Sequence, residues 1–295
     1  MKILFIGCVE SSYRLLKELL DQDGNVVGVI TKEKSGFNSD FCNLTTLCEE
    51  RRIPCHYADN INDADSVSFI KKYKPDIGFC FGWSQLVKKE VIRLFDSGIV
   101  GFHPAELPDN RGRHPLIWAL ALGLPETAST FFMMNEGADT GDIIAQQKIR
   151  IAYEDDARTL YDKVIEVAVQ QEKDLLERLE CNSVTKISQK SHEGNSWRKR
   201  GKSDGEIDWR MSSRNIYNLV RSLTRPYAGA HFVFRGNEYK VWKAEEIHTE
   251  EFKNIEPGKI LNVNSDGTVE VKAGDNAVRL VEYDPVDFKK GDYIL

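Results

Sequence analysis

At 295 residues, with 41% hydrophobic and 29% charged side chains, the chain has a globular composition with room for two ordinary domains, which excludes a disordered or fibrous protein. A formal net charge of −6 argues against nucleic acid as the main partner, although it leaves room for a local basic patch. Cys8, Cys42, Cys48, Cys55, Cys80 and Cys181 show no Cys-x-x-Cys or Cys/His ligand spacing, no apolar run of roughly 18 residues occurs, and M-K-I-L-F-I-G-C is too short for a secretion signal. A cytoplasmic protein with reduced thiols, without a metal site or a membrane span, is therefore expected.

Lys2 to Cys8 reads as an apolar strand, and the helix after it carries Leu15, Leu16, Leu19 and Leu20 on one face. Val26 to Ile30 is a second buried strand. A polar stretch from Thr31 to Asn43 around Gly36 and Asn38 reads as a loop, and Thr45 to Arg52 as a short helix. A helix at Asp63 to Lys72, a strand at Ile77 to Phe81 closed by Gly82, and a helix at Gln85 to Phe95 follow. With a strand at Ile99 to Phe102, a helix at Pro115 to Leu122 and a strand at Thr130 to Met134, the alternation predicts a mostly parallel sheet covered on both faces. Gly7 is followed by Cys8-Val9-Glu10-Ser11 rather than by G-x-G-x-x-G, so a dinucleotide site is not expected.

The stripe Leu160, Val164, Val167, Leu175 and Leu179 predicts a long core-facing helix over Asp156 to Glu180 that closes a first domain, 1–185. Residues 186–206 turn rich in Ser, Lys, Arg and Gly, as in a linker or a loop that meets ligand. A second domain, 207–295, opens with a helix at Ser213 to Leu223. Five β-prone runs follow, at His231 to Phe234, Tyr239 to Ala244, Gly258 to Val263, Thr268 to Lys272 and Ala277 to Tyr283, the pattern of a small antiparallel barrel.

Two clusters carry the chemistry. In G-I-V-G-F-H-P-A-E-L-P-D-N-R-G-R-H-P-L-I-W, residues 98–118, Pro104 stops a short strand and leaves His103 at its carboxyl end, where open α/β sheets bind ligands. An isolated histidine is more often structural; the second cluster shifts the balance. That cluster is F-F-M-M-N-E-G-A-D-T-G-D-I-I, residues 131–144, where Gly137 and Gly141 let the loop bend Asp139 toward a neighbouring strand end.

Together these motifs resemble the folate-dependent formyltransferases, whose signature pairs Asn-x-His before a Leu-Pro-x-x-Arg-Gly turn with a downstream Asp-x-Gly. The match is L-P-D-N-R-G at 107–112 and A-D-T-G-D at 138–142, continued by P-L-I-W-A-L at 115–120, S-W-R-K-R at 196–200, G-E-I-D-W at 205–209 and L-T-R-P-Y-A-G-A at 223–230. The later motifs are similar to those of methionyl-tRNA formyltransferase and the sugar-nucleotide N-formyltransferases. The resemblance implies a Rossmann-like formyltransferase domain, an OB-like C-terminal domain, 10-formyltetrahydrofolate as donor and a primary amine as acceptor. One departure stands out: Gly101 occupies the position of the family's catalytic Asn.

Amine attack on a formyl carbon needs a donor for the oxyanion, a proton for the leaving nitrogen and a sink for the amine's proton, none of which requires a metal. His103 suits the first two roles and Asp139 the third, or Asp139 orients the imidazole. Asn110 is the candidate to replace the missing Asn, with Ser84 and an ordered water behind it, and Gly101 is expected to widen the pocket at that wall. Folate is expected on the loop after Phe81, residues Gly82 to Val87, whose backbone groups can read the pterin while Phe79, Phe81, Trp83 and Leu86 supply apolar wall, with Arg111 and Asp139 beside it. For the acceptor's phosphates and base, Arg113, His114, Trp197, Arg198, Arg200, Trp209, Arg221 and Tyr227 are the candidates, with Arg225 nearby.

From residue 201 onward, 14 Lys and Arg face 16 Asp and Glu, a balance of −2 that leans away from tRNA. The leading expectation is transfer to a UDP- or dTDP-linked 4-amino-4,6-dideoxyhexose, as in surface-glycan or pseudaminic-type sugar synthesis. Methionyl-tRNA formyltransfer and a non-catalytic folate- or nucleotide-binding relic are the alternatives. Folate and a nucleotide-linked amino sugar are the expected partners, with neither nucleic acid nor membrane; a homodimer is allowed, although no segment indicates one.

Overall fold

The computed structural model describes residues 1–36, 39–190, 193–248 and 253–294, so Asn38 of the predicted loop lies outside the described residues. The chain divides into two compact units. The first comprises Met1–Pro115, Thr127–Ile149 and Asp162–Arg198, and the second Leu116–Glu126, Arg150–Tyr161 and Lys199–Leu295. Two short segments read from the sequence as part of the first domain thus cluster with the second. Ile117 explains one of them, since it packs in the same core as Ile207, Trp209 and Leu219.

In chain order the elements of the first half are β1 (Ile3–Ile6), α1 (Glu10–Asp21), β2 (Val26–Thr31), α2 (Thr45–Arg51), β3 (Cys55–Tyr57), α3 (Ala64–Tyr73), β4 (Ile77–Cys80), α4 (Lys89–Ile92) and β5 (Ile99–His103). They continue with β6 (Arg111–Gly112), α5 (Pro115–Ala121), β7 (Glu126–Met133), β8 (Ile143–Arg150), α6 (Ala157–Glu180) and β9 (Ser196–Trp197). The main sheet has the order β3-β2-β1-β4-β5-β7-β8, parallel from β3 to β5, with β7 antiparallel to β5. Side chains alternate across it: Ile3 and Phe5 join Leu15, Leu16 and Leu19 of α1 and Leu175 of α6 on one face, and Leu4 and Ile6 join Ile70 and Val91 on the other. The mostly parallel, doubly covered sheet is therefore as expected from the sequence.

The strand order reverses between β1 and β4, and at this switch the backbones lie close. A Cβ on Gly7 would stand 2.5 Å from the Phe81 carbonyl oxygen, and Ser12 Oγ donates to that same oxygen at 2.6 Å. Such a crevice, outside the carboxyl ends of the central strands, is where open α/β sheets hold ligands. The predicted helix over 85–95 shrinks to the single turn of α4. Gln85 spends its side chain on Asp59 O and Ile61 N, and Asn62 ties Leu86 O and Lys88 N, so these side-chain bonds replace helical ones.

Within α6, Glu172 is fully buried and finds no hydrogen-bond partner among the described residues. Burial, reinforced by Glu18, holds its carboxyl well above the ordinary range, while Glu18 itself is paired with Lys173 at 2.9 Å. Because the folded-state pKa exceeds the unfolded one, the native state binds the extra proton, and stability falls as pH rises above the ordinary value of 4.5. Glu172→Met is expected to raise unfolding free energy near pH 8 by about 1 to 3 kcal/mol, the cost of an unsatisfied buried polar group. The gain should shrink toward pH 4.5. Urea unfolding at the two pH values measures this, and a variant no more stable than wild type near pH 8 would refute it.

The second unit holds α7 (Ser213–Leu223), β10 (Ala230–Phe234), β11 (Asn237–Ile247), β12 (Ile260–Val263), β13 (Val269–Lys272) and β14 (Ala277–Tyr283). The strands form an antiparallel five-stranded sheet of order β10-β11-β14-β13-β12, close to the five runs read from the sequence. Its core joins Ile216 and Val220 of α7 to Phe232, Val241, Val271 and Leu280 of the sheet. No helix of the described residues is long and apolar enough to cross a membrane.

Candidate active site

His103 ends β5, 5% exposed. Its Nε2 lies 2.8 Å from the Asn110 carbonyl oxygen, which can only accept, so the Nε2 proton is held there. Nδ1 points the other way, 3.6 Å from Asp139 Oδ2. That separation exceeds a hydrogen bond but suits an ion pair once the imidazole is protonated. Asp139 Oδ2 also accepts from the Gly112 amide at 2.9 Å, which ties the carboxylate to the Leu107–Gly112 turn.

Three residues here other than glycine adopt the left-handed region: Asn110 at φ 62°, His114 at φ 56° and Asp139 at φ 56°. A backbone so placed is held by its surroundings. The hold is a short parallel ladder between β6 and β9, pairing Arg111 with Ser196 and Gly112 with Trp197. Gly112 is required by the close approach, since a Cβ there would stand 2.4 Å from the Trp197 carbonyl oxygen. Asn195 Oδ1 accepts the Asn110 amide at 2.7 Å, and the Trp197 carbonyl accepts the Arg113 amide at 3.1 Å. The ladder thus brings the backbone segments that hold the predicted substrate residues Arg113, His114, Trp197 and Arg198 together around Gly112, whose amide bonds Asp139.

A family model described as formyl transferase matches residues 1–208, and one described as formyl transferase, C-terminal domain, matches residues 199–290. The chain belongs to the formyl transferase family. Its methionyl-tRNA formyltransferase relative from Caldanaerobacter subterraneus subsp. tengcongensis is 29% identical over 287 residues, 96% of this chain and 91% of the relative. The N-formyltransferase from Helicobacter canadensis, solved with folinic acid and dTDP-3-aminofucose, matches with a TM-score of 0.71 at 19% identity, over 95% of this chain and 98% of that one. HypX from Aquifex aeolicus, solved with tetrahydrofolic acid, matches with a TM-score of 0.69 at 22% identity; the match covers 96% of this chain but only 44% of HypX. At such identities the two solved structures share the fold. Formyl transfer is the reaction of this transferase.

Several residues expected in the site of this formyl transferase are committed elsewhere. Arg111 is buried, with Nε and Nη2 on Gln189 Oε1 and Nη1 on the Glu193 carbonyl, so it braces the turn rather than reaching folate. Phe79, Phe81 and Val87 are core side chains, which corrects their assignment to the folate site. Trp209 is 5% exposed and packs edge-on against Phe232, so it is no stacking platform. Arg221 is buried with Nη1 on the carbonyls of Ala152, Tyr153 and Asp155 and Nε on Asn218, donors a phosphate would otherwise need. Tyr227 packs against the core of the second unit.

Other candidates keep an outward aspect. Arg198 is exposed, Arg200 lies over the Trp118 ring at 4.6 Å, and Arg225 lies over Trp242 and pairs with Glu282. Gly82, Trp83 and Leu86 stand at the switch point, where Gly82 takes φ 68°. Asn110 meets His103 through its backbone carbonyl. The wall at Gly101 is filled rather than widened, because a Cβ there would lie 2.6 Å from Phe132 Cζ and 3.0 Å from Met134 Cγ. Gln189, Asn195 and Phe132 escaped the sequence reading; composition pointed to the 186–206 segment but not to which of its residues turns inward.

Proposed function

We propose that this formyl transferase passes the formyl group of 10-formyltetrahydrofolate to the amine of a nucleotide-linked amino sugar, a UDP- or dTDP-4-amino-4,6-dideoxyhexose being the leading candidate. The observation that supports the reading is the β6–β9 ladder, which pairs Gly112, whose amide bonds Asp139, with Trp197, the chain neighbour of the exposed Arg198. A guanidinium can fork onto a phosphate and an indole can stack on a base. The dTDP-sugar bound by the Helicobacter canadensis protein of like fold supports the same substrate class.

For the donor, Trp83 offers a buried Nε1 without a partner among the described residues, and Leu86 on the same loop is 59% exposed. An unpaired donor beside exposed apolar surface fits a flat heterocycle that accepts a hydrogen bond and covers carbon. The amine attacks the formyl carbon, the bond to folate N10 breaks, the amine loses a proton and N10 gains one. His103 Nδ1 and Asp139 are the pair that handles these protons, since Nε2 is tied to Asn110. The protonated Nδ1 edge serves the oxyanion or the leaving nitrogen.

A tRNA acceptor is the second reading, favoured by the 29% identity to the methionyl-tRNA enzyme over nearly the whole chain. Against it stands the balance of 14 basic to 16 acidic residues from position 201 onward. Calorimetry with dTDP and UDP is expected to show binding that weakens in Arg198→Ala, with no measurable tRNA binding at physiological salt. Tight tRNA binding with absent nucleotide binding would replace the sugar nucleotide by tRNA.

A further inference from the structure

Gln189 lies in the segment that the sequence marks only as polar, yet all four hydrogen-bonding positions of its amide are used. Its Oε1 accepts from Arg111 Nε at 3.1 Å and Nη2 at 2.8 Å, and its Nε2 donates to the carbonyls of Asp139 at 3.1 Å and Gly141 at 2.6 Å. Guanidinium only donates and carbonyls only accept, so this network fixes which end of the amide is oxygen. One side chain therefore joins the turn that carries Gly112 to the loop that carries Asp139, the two ends of the Gly112–Asp139 hydrogen bond. Asp139 needs such a hold, because a left-handed residue other than glycine persists only where its surroundings impose it.

We infer that Gln189 is a positioning residue, which sets the Asp139 carboxylate against His103 Nδ1 by fixing the Asp139 loop to Arg111; the inference rests on the proton-handling role proposed for that pair. Gln189→Glu tests it, since the carboxylate keeps both Arg111 contacts and loses both donations to the loop carbonyls. The Gly112 amide reports the Asp139 bond without reference to turnover. Its hydrogen exchange, read by NMR, is expected to accelerate about tenfold or more. In the formyl-transfer assay kcat should fall about tenfold or more while KM for donor and acceptor stays within about threefold, the pattern of a lost transition-state interaction.

Unchanged Gly112 exchange overturns the inference, whatever the rate. Faster exchange with wild-type kcat overturns it as well, because the hold would then be dispensable to catalysis. Faster exchange in a protein whose wild type transfers no formyl group to any amine offered would sink the proposed function and leave the hold on Asp139 standing. Should Gln189→Glu fail to fold, Gln189→Met, of similar length and without polar atoms, is read by the same two measurements.

Discussion

His103→Ala is expected to slow formyl transfer by on the order of 10²- to 10⁴-fold, the range for loss of a positioned acid–base group, while the protein stays folded. The geometry gives the reason. His103 is the one imidazole set between the Asn110 carbonyl and the Asp139 carboxylate, with Nε2 anchored and Nδ1 turned to the acid. Asp139→Asn keeps an oxygen for the Gly112 amide but removes the charge that stabilises an imidazolium, so it should share the rate loss without loss of fold. Initial rates with 10-formyltetrahydrofolate, alongside thermal melts, make the check. Near wild-type turnover by His103→Ala would end the assignment of this residue.

Much of this site is legible as sequence and some of it is not, for identifiable reasons. The strand that ends on His103 and the glycine-flanked Asp139 loop are local features, carried by Pro104, Gly137 and Gly141. β8 went unread because Gln146, Gln147 and Lys148 break the apolar alternation, exposed as they are on an outer strand of the sheet. Arg111, Arg221, Trp209 and Phe81 have the side chains of ligand-binding residues, but burial decides their roles, and burial is a tertiary property. Nothing near Arg221 in sequence announces that the carbonyls at 152–155 will take its donors. Gln189 is the converse case, a residue in a polar segment whose role exists only once Arg111 and the Asp139 loop are brought around it.

Gly101→Asn, which would rebuild the family residue, is expected to destabilise the protein rather than supply a hydrogen-bond donor. An added Cβ would lie 2.6 Å from Phe132 Cζ and 2.9 Å from Phe132 Cε1, closer than real carbon atoms approach. Phe132 is 3% exposed and packs against Leu107, Ile143 and Met134, so its ring has little room to yield. Overpacking of this kind costs about 1 to 3 kcal/mol, whereas Phe132→Ala alone should cost about 3 to 5 kcal/mol through the cavity it leaves. The two changes share that space, so the double variant should lose less stability than the two separate losses added together, a coupling that urea unfolding of the four proteins measures. Glycine and phenylalanine at these positions then form one packing solution, in which the wall is made by a ring and the wild type depends on His103 for its donor. Gly101→Asn as stable as wild type would mean that the ring swings aside, and a faster rate in that same variant would return the donor role to position 101.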